Sequence, residues 1–156
     1  MKHINKPSHI VNNANDTQLK KITESDYRFL YVLLLERNPK ANISHKKMPT
    51  YTEHKIFVMS KPYSRWYVIK YENKNAGSVY LTKQNEIGIF IKKEFQNKGI
   101  GKVVLQLLIE KNPKSRYLAN VSPKNLKSME FFKKNGFKLI QYTYEMINSD
   151  LHQFKI

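Results

Sequence analysis

The clearest chemical signal in the sequence is a six-residue stretch, Gln96-Asn97-Lys98-Gly99-Ile100-Gly101, lying between a β-like run and a helical run. Glycines let a backbone approach a ligand closely and take positive φ. A helix that starts at the end of such a loop adds N–H groups without intrahelical partners and the positive end of its dipole. Together these features receive phosphate, and Lys98 and Lys102 add charge. The stretch is not a P-loop, because the four-residue spacer and the Gly-Lys-Ser/Thr end are missing. Nor does it carry the third glycine of the dinucleotide fingerprint. The chain has no cysteine, which excludes a thiol nucleophile, thiolate metal ligands and disulfides and fits a reducing cytoplasm. The five histidines, His3, His9, His45, His54 and His152, show no ligand spacing, so no metal site is expected.

The elements that must hold this loop are legible around it. Gln18 to Ile22 reads as a short strand. Thr23 with Asp26 resembles a helix start, and Tyr27, Leu30, Tyr31 and Leu34 follow at helical spacing until Asn38-Pro39. Pro49-Thr50 with Glu53 is a capping box for a second helix that carries His54, Phe57 and Val58. Arg65–Tyr71 and Ser78–Thr82 are rich in β-branched and aromatic residues and read as a hairpin across the turn 72–77. Glu86 to Ile91 continues the meander. Ile100, Val103, Val104, Leu107 and Leu108 mark a helix after the loop, and Arg116 to Val121 a strand parallel to Glu86–Ile91, joined by a right-handed crossover. Ser122-Pro123 starts a helix that ends at Asn135-Gly136. Phe137 to Met146 alternates like a strand. The fold class is therefore mixed α/β (α+β), with a largely antiparallel sheet flanked by helices. Residues 1–17 read as an N-terminal extension, 18–146 as one domain and 147–156 as a tail.

Gln96, Gly99 and Gly101 fit the pattern Gln/Arg-x-x-Gly-x-Gly/Ala. Downstream, Asn125, Ser128, Phe131-Phe132 and Gly136-Phe137 fit Asn-x-x-Ala/Ser, an aromatic, then Gly-Phe. Two such signatures in this order, each on the expected element, make the chain resemble the GNAT superfamily of acetyl-CoA-dependent N-acyltransferases over about residues 18–146. The resemblance implies a splayed parallel pair, Glu86–Ile91 and Arg116–Val121, whose cleft takes the pantetheine arm of acetyl-CoA against the backbone of Phe90 and Ile91, in the manner of an added strand. It implies a pyrophosphate held on Gln96, Asn97, Lys98, Gly99, Ile100, Gly101 and Lys102. Asn125, Ser128 and Phe132 would line the cofactor from the following helix. Lys124, Lys127 or Lys134 would meet the 3′-phosphate, or else simply form a solvated face.

The chemistry so implied is direct attack of a neutral amine on the thioester, which needs a base, an oxyanion donor and an acid for the thiolate. The Glu-Ile-Gly run at residues 86–88 resembles that of the ribosomal-protein and amino-sugar acetyltransferase subgroup, which makes Glu86 the first candidate base. His54 is the second; its reference pKa suits a base near neutrality. The oxyanion donor is expected to be a backbone N–H near Ile91. The position where many members place an acidic Tyr is Phe132, which has no proton to give, leaving Tyr142, Tyr144, water or an unassisted thiolate. The acceptor is expected between the helices at 25–37 and 50–60, the loop joining them, and Trp66 and Tyr80. Tyr51, Trp66 and Tyr80 are candidates to stack on a ring.

Lys plus Arg is 28 against 12 Asp plus Glu, a net charge of +16, yet only four of the cations are Arg. The Lys residues are spread along the chain, so the excess reads as a compositional background plus a share placed for the phosphates of coenzyme A, and nucleic acid is not the expected partner. The basic 39–52 segment favours an anionic small-molecule amine such as an amino sugar or sugar nucleotide. The alternatives are a protein amine of the ribosomal-protein type, or a non-catalytic acyl-CoA or nucleic-acid-binding module on the same fold. The longest apolar run, Phe29–Leu35, is too short to span a bilayer, so no membrane partner and a cytoplasmic location are expected, as monomer or homodimer.

Overall fold

The computed structural model describes residues 16–37 and 47–147. Strand β1 (Thr17–Lys21) leads through a 3-10 turn (Glu24–Asp26) into helix α1 (Tyr27–Glu36), and α2 spans Tyr51–Met59. A meander of β2 (Arg65–Tyr71), β3 (Lys74–Leu81) and β4 (Ile87–Ile91) follows, then a 3-10 turn (Lys93–Phe95), α3 (Ile100–Lys111) and α4 (Leu126–Lys134). The four strands form one sheet in the order β1-β2-β3-β4, every neighbour antiparallel.

Period-two alternation divides the sheet into two working faces. On one, Tyr67, Ile69, Tyr71, Val79, Leu81 and Ile87 bury against Ile100, Val104, Leu105 and Leu108, the apolar stripe of α3. On the other, Trp66, Ser78, Tyr80, Gly88 and Phe90 meet Leu30 and Leu33 of α1 and His54 and Phe57 of α2. This second face is not filled, and the candidate site lies there.

Both capping boxes read from the sequence are present. At the first, the buried Asp26 carboxylate accepts from Thr23 N–H at 2.8 Å and from Lys20 Nζ at 2.9 Å. Burial raises the pKa of this carboxyl, but the bonds from Lys20 and from the Thr23 N–H and O–H outweigh it and hold the pKa below its ordinary value. A group with a depressed folded pKa contributes stability above its unfolded pKa of about 3.9, and that contribution is lost as pH falls through the folded value. Asp26→Asn is therefore expected to cost about 1 kcal/mol at pH 7. Urea unfolding of both proteins should show the difference shrinking below about pH 4.

Four expectations are corrected. The turn read at 72–77 is only Glu72-Asn73, both at positive φ (47° and 62°), as a two-residue hairpin turn requires. Lys74–Gly77 therefore pair in the ladder, with an irregularity at Ile69/Lys70. The strand read at Arg116–Val121 is reduced to one parallel bridge, Glu86 to Leu118. The last helix starts not at Ser122-Pro123, which form a turn closed by Asn125 N–H to Ser122 O at 2.9 Å, but after Asn125, whose side chain caps it. The alternating run Phe137–Met146 is not a strand. Leu139, Ile140, Tyr142, Tyr144 and Met146 are exposed. Strand propensity is realised only against a partner strand, and among the described residues none pairs with this run. Most of the expected N-terminal extension 1–17, of the 39–52 segment and of the tail lies outside the described residues, although Thr17, read as part of the extension, opens β1.

Candidate active site

The cleft follows from how β4 is paired. Ile87 N–H donates to Leu118 O at 2.8 Å and Leu118 N–H to Asn85 O at 2.9 Å, after which the described residues show no further pairing along β4 on that side. The two parallel segments thus touch at the start of β4 and separate toward its end. Lys92 N–H bonds Ala76 O on β3, so by alternation Gly88 and Phe90 turn their backbone groups to β3, while Ile89 and Ile91 turn theirs to the cleft. The backbone of Phe90 is therefore not at the open edge as expected; its carbonyl lies over Gly77, where a Cβ would overlap it. Ile91 O accepts from Gln96 Nε2 at 2.8 Å, which ties the glycine loop to the end of β4.

At the mouth of the cleft, Asn97 (φ 60°) and Gly99 (φ 74°) take left-handed backbone, and Gly99 is the N-cap of α3. Gly101 lets Phe131 of α4 approach; a Cβ there would sit 3.0 Å from the ring. Lys127 of α4 reaches across to Gln96 Oε1 at 2.8 Å. Lys98 lies over the Phe95 ring, 5.6 Å from its centroid, and Lys102 is exposed on the first turn of α3. The N-termini of two helices and several Lys thus converge on one loop. Asn125 Oδ1 accepts from Ser128 N–H at 3.2 Å. Phe132 packs edge-on against Phe131 and Phe137.

Glu86 stands just before β4, on the face that carries Gly88 and Phe90. Its carboxylate accepts from Asn120 Nδ2 at 2.8 Å and from Thr82 Oγ1 at 3.2 Å. Two residues further along the same face of β4, from Gly88 on, a cavity of about 180 Å³ opens between α1, α2 and the sheet, lined by His54, Phe57, Tyr63, Trp66, Tyr80 and the Gly88–Phe90 segment, with Arg37 also on its wall. His54 is buried, 5.7 Å from the Tyr31 ring and 6.3 Å from Phe57.

The aromatic residues expected to hold a ring mostly hold each other. Tyr80 stacks flat on Tyr63 at 3.8 Å, and its other side lies on Gly88, where a Cβ would overlap the ring. Trp66 meets Tyr63, Phe57 and Tyr80 edge-on and donates Nε1–H to Ser78 Oγ at 2.7 Å. Tyr51 lies outside this cavity, with Arg28 over its face at 4.3 Å.

The family profile described as the acetyltransferase (GNAT) family matches residues 24–137. The chain belongs to the GNAT acetyltransferase family. As a member it is an N-acetyltransferase with acetyl-CoA as co-substrate. Among curated proteins no sequence matches. Several solved structures share the fold. A domain from Methanocaldococcus jannaschii superposes with TM-score 0.71 at 24% identity, over 83% of this chain and 92% of that one. RimL, a ribosomal-protein α-N-acetyltransferase solved with coenzyme A, gives 0.67 at 20% identity, over 84% and 85%. A Vibrio cholerae spermidine N-acetyltransferase solved with CoA and spermine gives 0.66 at 19% identity, over 78% and 80%.

Within this GNAT frame, sequence reasoning missed Gly77, Tyr63, Thr82, Asn120 and Arg37. Gly77 was hidden by an overlong turn. Tyr63 precedes a strand and shows no periodicity. Thr82 and Asn120 matter only because folding brings them to Glu86, and no sequence spacing signals that.

Proposed function

We propose that this enzyme transfers the acetyl group of acetyl-CoA directly to the primary amine of a small anionic molecule, of the amino-sugar phosphate or sugar-nucleotide kind. The observation that carries this reading is a second, open groove of about 320 Å³ that shares Tyr63 and Trp66 with the cavity and, among the described residues, is lined by Lys21, Lys61 and Arg65 without a carboxylate. An amine entering the cavity from that side would leave its anionic body among three cations. A polyamine would instead meet Arg37, and the one carboxylate among the described residues of the cavity wall, Glu53, is engaged with Thr50 at 2.7 Å as a helix cap.

In this reading the pantetheine adds to β4 along Ile89 and Ile91, and the pyrophosphate rests on the loop 96–101 with Lys98 and Lys102 beside it. Glu86 takes the amine proton, directly or through a water, while an N–H facing the cleft, that of Ile89 or Ile91, polarises the thioester carbonyl. The C–S bond then breaks, its electron pair leaves with sulfur, and the amide forms. His54 lines the same cavity and shapes the approach of the amine.

Initial rates with glucosamine, glucosamine 6-phosphate and spermidine test the acceptor class. The phosphorylated amine should show a KM at least tenfold below that of glucosamine, on the order of one charge-assisted contact. Arg65→Gln with Lys61→Gln should remove most of that difference. Spermidine as the best acceptor would overturn the assignment.

A further inference from the structure

The thiolate leaving group still needs a proton, and Phe132 has none to give. All ten tyrosines lie within the described residues, and most are committed elsewhere. Tyr31 donates to Pro49 O at 3.1 Å, Tyr117 to Asn112 O at 2.8 Å, and Tyr67 to Asn112 Oδ1 at 3.3 Å. Tyr71 packs on Phe95 on the opposite side of the sheet. Tyr51 sits beneath Arg28, Tyr27 lines the outer groove, and Tyr142 and Tyr144 are 74% and 91% exposed. Only Tyr63 and Tyr80 line the cavity at β4.

We propose that Tyr80 is the general acid of the transfer reaction, its phenol held against β4 by Gly88 on one side and by the Tyr63 ring on the other. The fixation is steric. The ring fits only because residue 88 has no side chain, and the parallel stack with Tyr63 at 3.8 Å and 5° removes its remaining freedom. Tyr80 and Gly88 face each other across the β3–β4 ladder. The phenol thus lies on the strand that receives the thioester, on the face that carries Glu86. Burial first, and Tyr80 next, push the Tyr63 phenol far above its ordinary pKa. Tyr63 therefore stays protonated and serves as the neutral ring against which the Tyr80 phenol is stacked. The proton balance is complete: the amine nitrogen loses a proton to Glu86, the departing sulfur takes one from Tyr80, and solvent restores the phenol. This assignment rests on the cleft along β4 serving acetyl-CoA, but not on the acceptor being anionic.

The test is Tyr80→Phe, which keeps the stack and removes the proton. It is assayed with whichever panel amine is turned over fastest and, in parallel, by the slow hydrolysis of acetyl-CoA, since both routes release the same thiolate. The expected result is a kcat about 10- to 100-fold lower, with the KM for acetyl-CoA within twofold. The alkaline limb of the kcat profile, where the acid loses its proton, should disappear. Adding Phe132→Tyr to that variant should recover part of kcat. A kcat within twofold of wild type, or a loss that leaves the alkaline limb unchanged, would show that Tyr80 only packs the site. Loss of the preference for phosphorylated amines, with the Tyr80→Phe effect intact, would sink the acceptor class and leave this assignment standing.

Discussion

Glu86→Gln should lower kcat by about 10²- to 10⁴-fold, the range for loss of a positioned base. The KM for acetyl-CoA and the melting-temperature rise it causes should stay near the wild-type values. The substitution keeps the shape of the side chain and an acceptor oxygen for Asn120 Nδ2 or Thr82 Oγ1, which hold the carboxylate at 2.8 and 3.2 Å, so the fold should survive. Because a carboxylate accepts the amine proton only when ionised, raising the amine concentration cannot restore the rate. Raising the pH should recover part of it, as more acceptor becomes neutral without help. Rapid-quench or thiol-release kinetics would read this. A Glu86→Gln enzyme within threefold of wild type would transfer the role of base to His54, which lines the cavity.

Gly77→Ala should produce the second large effect, on binding and on stability together. A Cβ at this position would overlap the Phe90 carbonyl and lie 3.0 Å from Ile91 Cα. The overlap is with backbone, so no rotamer change relieves it, and β3 and β4 must separate. The expected cost is on the order of 1–3 kcal/mol in urea unfolding. The KM for acetyl-CoA should rise at least tenfold, because the displaced half of β4 is the half proposed to pair with the pantetheine. Gly136→Ala is the matched comparison: φ there is 87°, but nothing lies within 4 Å of the added methyl. It should lose stability of about 1 kcal/mol from backbone strain and leave the KM unchanged. Equal KM values for Gly77→Ala and wild type would mean that the cofactor does not run along β4.

What the sequence disclosed divides by the range of the interactions involved. The helix caps at Thr23 and Thr50, the left-handed Gly99 and Gly136 and the apolar stripe of α3 are set by neighbours in the chain, and each stands where spacing placed it. The loop 96–101 was legible for the same reason. Pairing was not. Arg116–Val121 and Phe137–Met146 have the composition of strands, but a strand needs an edge to pair with, and in the described chain the first finds one bridge and the second none. The aromatic cluster was legible as a set of residues but not as a geometry. Tyr80 is not an open platform, because the ring of Tyr63 and the bare backbone of Gly88 cover its two faces. Which backbone groups face the cleft also had to come from register. The bonds from Ile87 N–H to Leu118 O on one side and from Lys92 N–H to Ala76 O on the other fix the parity of β4 and assign the open edge to Ile89 and Ile91 rather than Phe90.

The central claim is that the cleft along β4 and its glycine loop bring acetyl-CoA and an amine together. The most direct measurement is coenzyme A thiol release from acetyl-CoA by the wild-type protein, with and without glucosamine 6-phosphate, compared with a Gly99→Val, Gly101→Val variant whose loop cannot keep its backbone. The account predicts amine-dependent release by wild type, with the acetyl group recovered as amide on the acceptor. For the variant it predicts a KM for acetyl-CoA raised by at least tenfold. Release that does not depend on any amine, or a variant that binds and turns over acetyl-CoA like wild type, would contradict it.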